Sequence, residues 1–326
     1  MRDLTIRDFF EQKKKDLALS VLSNLNTLSN RLSEPLLNRP GLALAGYLER
    51  FSYKRVQVLG ETEISYLQTL NDDQLYERIK QMFEFAIPCI VVTKGLTVPH
   101  QMEYLANEMN IALLSSRMST EKLMSSMGRF LQDFFAQRKT IHSTLVDVFG
   151  VGVLISGASG IGKSECALDL VERGHRLVSD DLVQIVLQNE LLVGTTTRQE
   201  GGYFMEIRGV GLVDIERMFG IQAVRRTKKI DLQVELMPWR DNMDYERIGL
   251  KNNYVNILGV NVPAIYLPIS PGKNVAVIIE VIAMNHILKT FGYDAAEVFT
   301  RRLQEEIKRK SLKTFTEGVG EIGSTD

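Results

Sequence analysis

The segment GASGIGKS, Gly157 to Ser164, has the spacing Gly-x-x-x-x-Gly-Lys-Ser, and its residue types suit the holding of phosphate. Gly157, Gly160 and Gly162 let successive backbone N–H groups turn toward an anion, with Ala158, Ser159 and Ile161 completing the loop. The helix that follows points its positive end at the same place. Lys163 adds a mobile charge for the outer phosphates. Ser164 offers a hydroxyl to magnesium, an ion that dehydrates reluctantly and is shared between protein and phosphates. The chemistry implied is phosphoryl transfer from a nucleotide.

Transfer also requires a group that orients or deprotonates the acceptor. Asp180 and Asp181 end the next predicted strand, where adjacent residues point to opposite faces. One of the pair can then serve magnesium through water while the other meets the acceptor; a solvated turn of two aspartates fits the same residues. His142 lies upstream of the loop, and the residues alone leave it a surface histidine. His100, His175 and His286 have no ligand-spaced neighbours. The basic cluster Arg225 to Lys229 lacks interleaved aromatics and reads as a solvated face, so no nucleic-acid partner is expected.

These residues must be positioned by a chain of 326 residues, a length that favours two domains. Apolar residues at 44% and charged residues at 24% are ordinary for a soluble globular protein, and the formal net charge of -1 offers no general attraction to nucleic acid or anionic lipid. Cys89 and Cys166 lack metal-ligand spacing and read as buried thiols in a reducing cytoplasm. No signal peptide or membrane segment is expected.

The predicted fold class is α/β in two domains. Residues 1–135 form an α/β unit of structural or regulatory type: an apolar run Ile87 to Val92, a helix from His100, a run Ile111 to Leu114, and a helix from Thr120 to Gln137. Residues 136–312 form a P-loop kinase domain with a mixed sheet and flanking helices, and residues 313–326 a flexible tail. In the second domain LVDVFGVGVLISG leads into the loop and the helix KSECALDLVERG. A hairpin VQIVLQNELLVG turns at Gln188 and Asn189, and TTTRQEGGYF is an exposed mobile loop. Helices from Val275 to Thr290, buried despite Glu280, and from Asp294 to Arg309 complete it.

The stretch HSTLVDVFGVGVLISGASGIGKSECALDLVERGHRLVSDD resembles the catalytic core of the HPr kinase/phosphorylase family. The likeness continues through MEIRGVGLVDI from Met205, DYERIG around Arg247 and PISPGKNVAVIIEVIAMN from Pro268, and more weakly through the first unit. It implies a cytoplasmic, magnesium-dependent enzyme of hexameric type. Such an enzyme phosphorylates a serine of the phosphocarrier HPr with ATP or pyrophosphate, and reverses this with phosphate, releasing pyrophosphate. By that resemblance His142, Lys163, Asp181 and Arg247 are catalytic, Asp181 being the proton acceptor, and Ser164 and Glu206 hold magnesium.

One segment departs from the family pattern. Pro268, Ile269, Ser270, Pro271, Gly272 and Lys273 stand where the family has Pro-x-Arg-Pro-Gly-Arg, a loop associated with dephosphorylation. Exchanging two arginine forks for a serine and a point charge weakens a phosphate grip. Two other readings remain at this stage: a P-loop kinase of a small molecule, and an ATP-sensing module without turnover.

Overall fold

A computed structural model describes residues 3–197, 202–239, 253–270 and 272–320, with side chains as far as Lys308. The chain divides into two compact units, Met1–Ala136 and Gln137–Asp326.

In the first unit a five-stranded sheet has the order Leu19–Val21, Ala112–Ser116, Cys89–Val92, Val56–Leu59, Leu37–Asn38, with all but the first strand parallel. Helices lie on both faces, so every residue of Cys89–Val92 is buried. Cys89 and Val91 join the core under helix Thr120–Phe135, while Ile90 and Val92 join the core under helices Asp72–Phe83 and His100–Glu108. The strand predicted from Ile87 starts only at Cys89, since Pro88 has no N–H to give the ladder. The helix predicted to reach Gln137 stops at Phe135.

The second unit is built on two sheets. Six strands run in the order Arg176–Ser179, Thr144–Val148, Val151–Gly157, Leu232–Pro238, Val260–Ile269, Asn253–Ile257. The middle three, from Val151–Gly157 to Val260–Ile269, are parallel and deliver their C-terminal ends to one edge. Four further strands, Thr227–Lys229, Leu191–Thr196, Leu182–Gln188 and Arg138–His142, form an antiparallel sheet. Between the sheets lies a core including Leu145, Leu154, Val183, Ile185 and Ile230. The opposite face of the six-stranded sheet is covered by the P-loop helix Lys163–Glu172 and helix Val275–Thr290 through Ala167, Leu170, Ile279 and Ala283.

Three details differ from the sequence reading. The hairpin turn is Asn189–Glu190, with Gln188 paired to Leu191, because the two-residue turn needs positive φ at both centres, here 47° and 64°. Helix Val275–Thr290 buries only one face: Val277, Val281, Met284 and Leu288 are exposed, since its apolar residues surround the axis and the sheet covers one side. Helix Ala295–Gly320 runs past residues 309 and 313, where the sequence reading ends the helix and begins a tail.

Glu280, the one acid on that buried face, is taken up by a bidentate pair with Arg173, at 2.9 and 2.6 Å, and by His175 at 2.9 Å. His175 is thereby a structural residue that ties the end of the P-loop helix to helix Val275–Thr290. Arg225 and Lys228 of the basic cluster pair with the buried Asp147.

Candidate functional site

Strand Val151–Gly157 is buried through Ile155 and anchored on both sides, so the chain leaves the sheet edge rigidly held. Only glycine fits where it departs. Gly157 has φ 141°, and a Cβ there would stand 2.5 Å from the Leu236 carbonyl oxygen. A Cβ on Gly160 would meet the Arg208 guanidinium at 2.5 Å. Helix Lys163–Glu172 starts directly after the loop, and the Lys163 ammonium donates to the carbonyls of Gly157 and Ala158 at 3.0 and 3.1 Å.

The first helical turn carries Ser164, whose hydroxyl lies 2.9 and 3.1 Å from the two carboxylate oxygens of Asp180. Thr144 Oγ1 donates to the same carboxylate at 2.6 Å. Burial raises the pKa of Asp180 above the ordinary aspartate value, against the lowering effect of these donors. The aspartate pair does not end a strand. Strand Arg176–Ser179 stops before it, and Asp181 is left-handed with φ 66°. The two carboxylates diverge because of this backbone reversal, which is held by Ser143 N–H to the Asp181 carbonyl and Leu182 N–H to the Asp180 carbonyl.

Asp180 turns inward to Ser164, whereas Asp181 is exposed and faces His142, Nδ1 to Oδ1 3.6 Å. Strand register explains the second contact, since His142 pairs with Leu182, the residue after Asp181. The ribbon Phe204–Ile207 and Gly211–Asp214 completes the site. Its alternation sends Met205 and Ile207 into the core and leaves Phe204, Glu206 and Arg208 lining a cavity of about 310 Å³. Ser159, Gly160, Gly162, Lys163, Ser164, Asp180 and Asp181 line the same cavity.

Of the residues singled out in the sequence, the phosphate loop, Ser164, Asp181 and Glu206 thus share one cavity, with His142 beside Asp181. Arg247 and Pro271 lie outside the described residues, as does part of the TTTRQEGGYF loop. Ser270 and Lys273 stand at the same sheet edge as the loop, one parallel strand beyond Leu232–Pro238. Sequence reasoning missed Arg208 and Thr144. Arg208 had a signal, two positions after Glu206 and directly after the alternating strand Phe204–Ile207; Thr144, far from Asp180 in the chain, had none.

A glycine-rich loop between a parallel strand and a helix, with a carboxylate on the loop serine, defines a P-loop phosphotransferase domain. Residues 133–303 match the family model described as HPr Serine kinase C-terminal domain, and residues 4–131 that of the HPr Serine kinase N terminus. The chain is 43% identical to the HPr kinase/phosphorylase of Prosthecochloris aestuarii, over 97% of this chain and 94% of that one. It is 39% identical to that of Alkaliphilus metalliredigens, over 95% and 99%. Among solved structures, the Hpr(Ser) kinase/phosphatase of Coxiella burnetii is 37% identical, covering 49% of this chain and 98% of that one with a TM-score of 0.44. The chain belongs to the HPr serine kinase/phosphorylase family.

Proposed function

We propose that the chain transfers a phosphoryl group from ATP, or pyrophosphate, to a serine of the phosphocarrier HPr, and returns it to inorganic phosphate with release of pyrophosphate. The observation that carries this reading is the convergence of Lys163, Ser164, Asp180, Asp181, Glu206 and Arg208 on one cavity in a chain of this family.

The donors suit magnesium. Ser164 Oγ and the carboxylates of Asp180 and Glu206 offer oxygen alone, and Asp180 is a partly buried acid already beside the serine. When bound, magnesium neutralises charge on the outer phosphates. Lys163 shifts from the loop carbonyls to the outer phosphates and Arg208 covers the mouth of the loop.

In the forward direction Asp181 accepts the serine proton as the hydroxyl oxygen attacks the terminal phosphorus and the bond to the leaving phosphate oxygen breaks. In reverse, a phosphate oxygen attacks the phosphoserine phosphorus, and protonated Asp181 returns its proton to the departing serine oxygen. His142, 3.6 Å away, orients that carboxyl. Arg247 is proposed to act on the same transferring group.

The stripe Val277, Val281, Met284 and Leu288 supports self-association into a homo-oligomer, because an apolar helix face of this extent is rarely left to water; the hexameric type is proposed from the family resemblance. No single helix among the described residues is long and apolar enough to cross a membrane, and a cytoplasmic location accords with an HPr substrate. The first unit, residues 1–135, is proposed to be structural or regulatory.

Incubation with labelled ATP and HPr tests the reading. Serine phosphate on HPr, removed again by added phosphate with formation of pyrophosphate, is the expected result. Label in a metabolite, or none transferred, overturns it.

A further inference from the structure

The departure at Ser270 and Lys273 leaves one cation where the family pattern has two arginine forks. A lysine ammonium is a point charge on a flexible four-carbon stem, so its use in gripping an anion depends on what holds the stem. Here the Lys273 ammonium sits 4.8 Å from the ring centroid of Trp239. That is cation–π range, and tryptophan has the most attractive ring face.

Both members of the pair are fixed from the backbone. Trp239 follows the last paired residue of strand Leu232–Pro238, and its N–H donates to the Ile269 carbonyl at 3.1 Å. Lys273 N–H reaches the Ser270 carbonyl at 3.3 Å, and Gly272 has φ 86°, a left-handed conformation that glycine adopts without steric cost. Asn274 then caps helix Val275–Thr290 by accepting the Val277 N–H at 3.2 Å. Lys273 is thus held between a closed turn and a helix cap, and its side chain returns over the neighbouring strand's end. Among the described residues no carboxylate pairs with Lys273.

The three parallel strands bring the phosphate loop, Trp239 and this turn to one sheet edge. We infer that Trp239 is a positioning residue for the phosphate-driven reaction, holding the Lys273 ammonium where inorganic phosphate enters. The inference rests on the proposed role of the 268–273 loop in dephosphorylation. It adds that a residue outside that loop supplies the order that the missing arginine forks would have supplied.

Trp239 is the only tryptophan, so the intrinsic emission of the full chain reports on it directly. Inorganic phosphate, titrated into wild-type protein, should change that emission saturably, and Lys273→Gln should abolish the change. In phosphoserine-HPr dephosphorylation, Trp239→Leu should raise the KM for phosphate by roughly 2- to 5-fold and leave the KM for ATP in the kinase direction unchanged. Trp239→Phe, which retains a ring face, should recover part of the loss. If Lys273→Gln leaves the phosphate step intact, the reading of the loop fails. If Lys273→Gln impairs it while Trp239→Leu does not, or Trp239→Leu weakens ATP and phosphate alike, the positioning role fails. An emission unmoved by saturating phosphate also overturns it, even where the leucine variant does not fold.

Discussion

The Ser164 hydroxyl is shared between both carboxylate oxygens of Asp180, at 2.9 and 3.1 Å, although the two residues belong to different elements of the domain. Burial raises the Asp180 pKa, so the ionised form is disfavoured in the fold relative to the unfolded chain. Stability therefore falls as pH rises from the ordinary aspartate value of 3.8 through the higher folded value. In magnesium-free buffer Asp180→Asn should melt above the wild type at pH 7, and the gap should close as pH falls toward 4. Added magnesium should stabilise the wild type more than the variant. Melting curves with and without the metal check both signs.

Lys163→Ala should lower the kinase rate by at least about 100-fold and weaken nucleotide binding, because it removes the charge aimed at the outer phosphates. Its loss should leave the fold intact, since among the described residues it bonds only the loop's own carbonyls at Gly157 and Ala158. Circular dichroism with a nucleotide-binding titration separates loss of the site from loss of the fold.

Asp181→Asn should retain ATP affinity and lose transfer in both directions by roughly 10²- to 10⁴-fold, the contribution typical of a positioned general base. Its carboxylate is exposed and faces His142, so equal loss of affinity and rate would contradict its assignment. His142→Ala should give a smaller loss in the same assay, since the imidazole touches the Asp181 carboxylate at 3.6 Å and does not itself take the serine proton.

Arg208→Lys should fall well short of restoring wild-type rate, whereas a surface arginine would tolerate that exchange. The guanidinium lies over Gly160, at the mouth of the loop, in fork geometry that suits phosphate oxygens. Arg208→Ala is expected to lower kcat by about 10-fold or more. Steady-state kinetics at saturating ATP measure this, and an unchanged kcat would remove Arg208 from the site.

Ser270→Arg should raise phosphate-dependent release of pyrophosphate from phosphoserine-HPr and leave the ATP-dependent rate nearly unchanged. A charge-assisted hydrogen bond contributes about 1.5–3 kcal/mol, equivalent to roughly 10- to 100-fold in rate. A flat response would assign the phosphate grip to Lys273 and its neighbours.

What the sequence made legible follows the range over which each signal acts. The phosphate loop is local: glycines, lysine and serine sit within one strand-to-helix turn, and the structure forms that turn. The aspartate pair was read as the end of a strand, and strand alternation does not foresee the positive φ of Asp181 that turns the two carboxylates apart. The contact between His142 and Asp181 was invisible to spacing, since it arises from pairing between strands Arg138–His142 and Leu182–Gln188; family resemblance alone singled out the histidine. In the first unit, helix Asp72–Phe83 went unread although Asn71 and Gln74 form a capping box at its start. That signal was present, and the polar residues around it hid the apolar stripe of Leu75, Ile79 and Met82.

The strand that carries the phosphate loop also has a history in folding. It pairs with Thr144–Val148 across the two-residue turn Phe149–Gly150, whose φ values of 52° and 86° suit a tight hairpin. Such hairpins close in about 1–10 μs. Its other partner, Leu232–Pro238, is reached only after the intervening chain from Gly157 to Leu232 has looped out and returned, at a larger entropic cost. The strand that carries the phosphate loop thus assembles first with its neighbour in the chain, while Trp239 and Lys273, at the same sheet edge, wait for a distant return. A newly made chain would form the hairpin that carries the phosphate loop before the strand ends that carry Trp239 and Lys273.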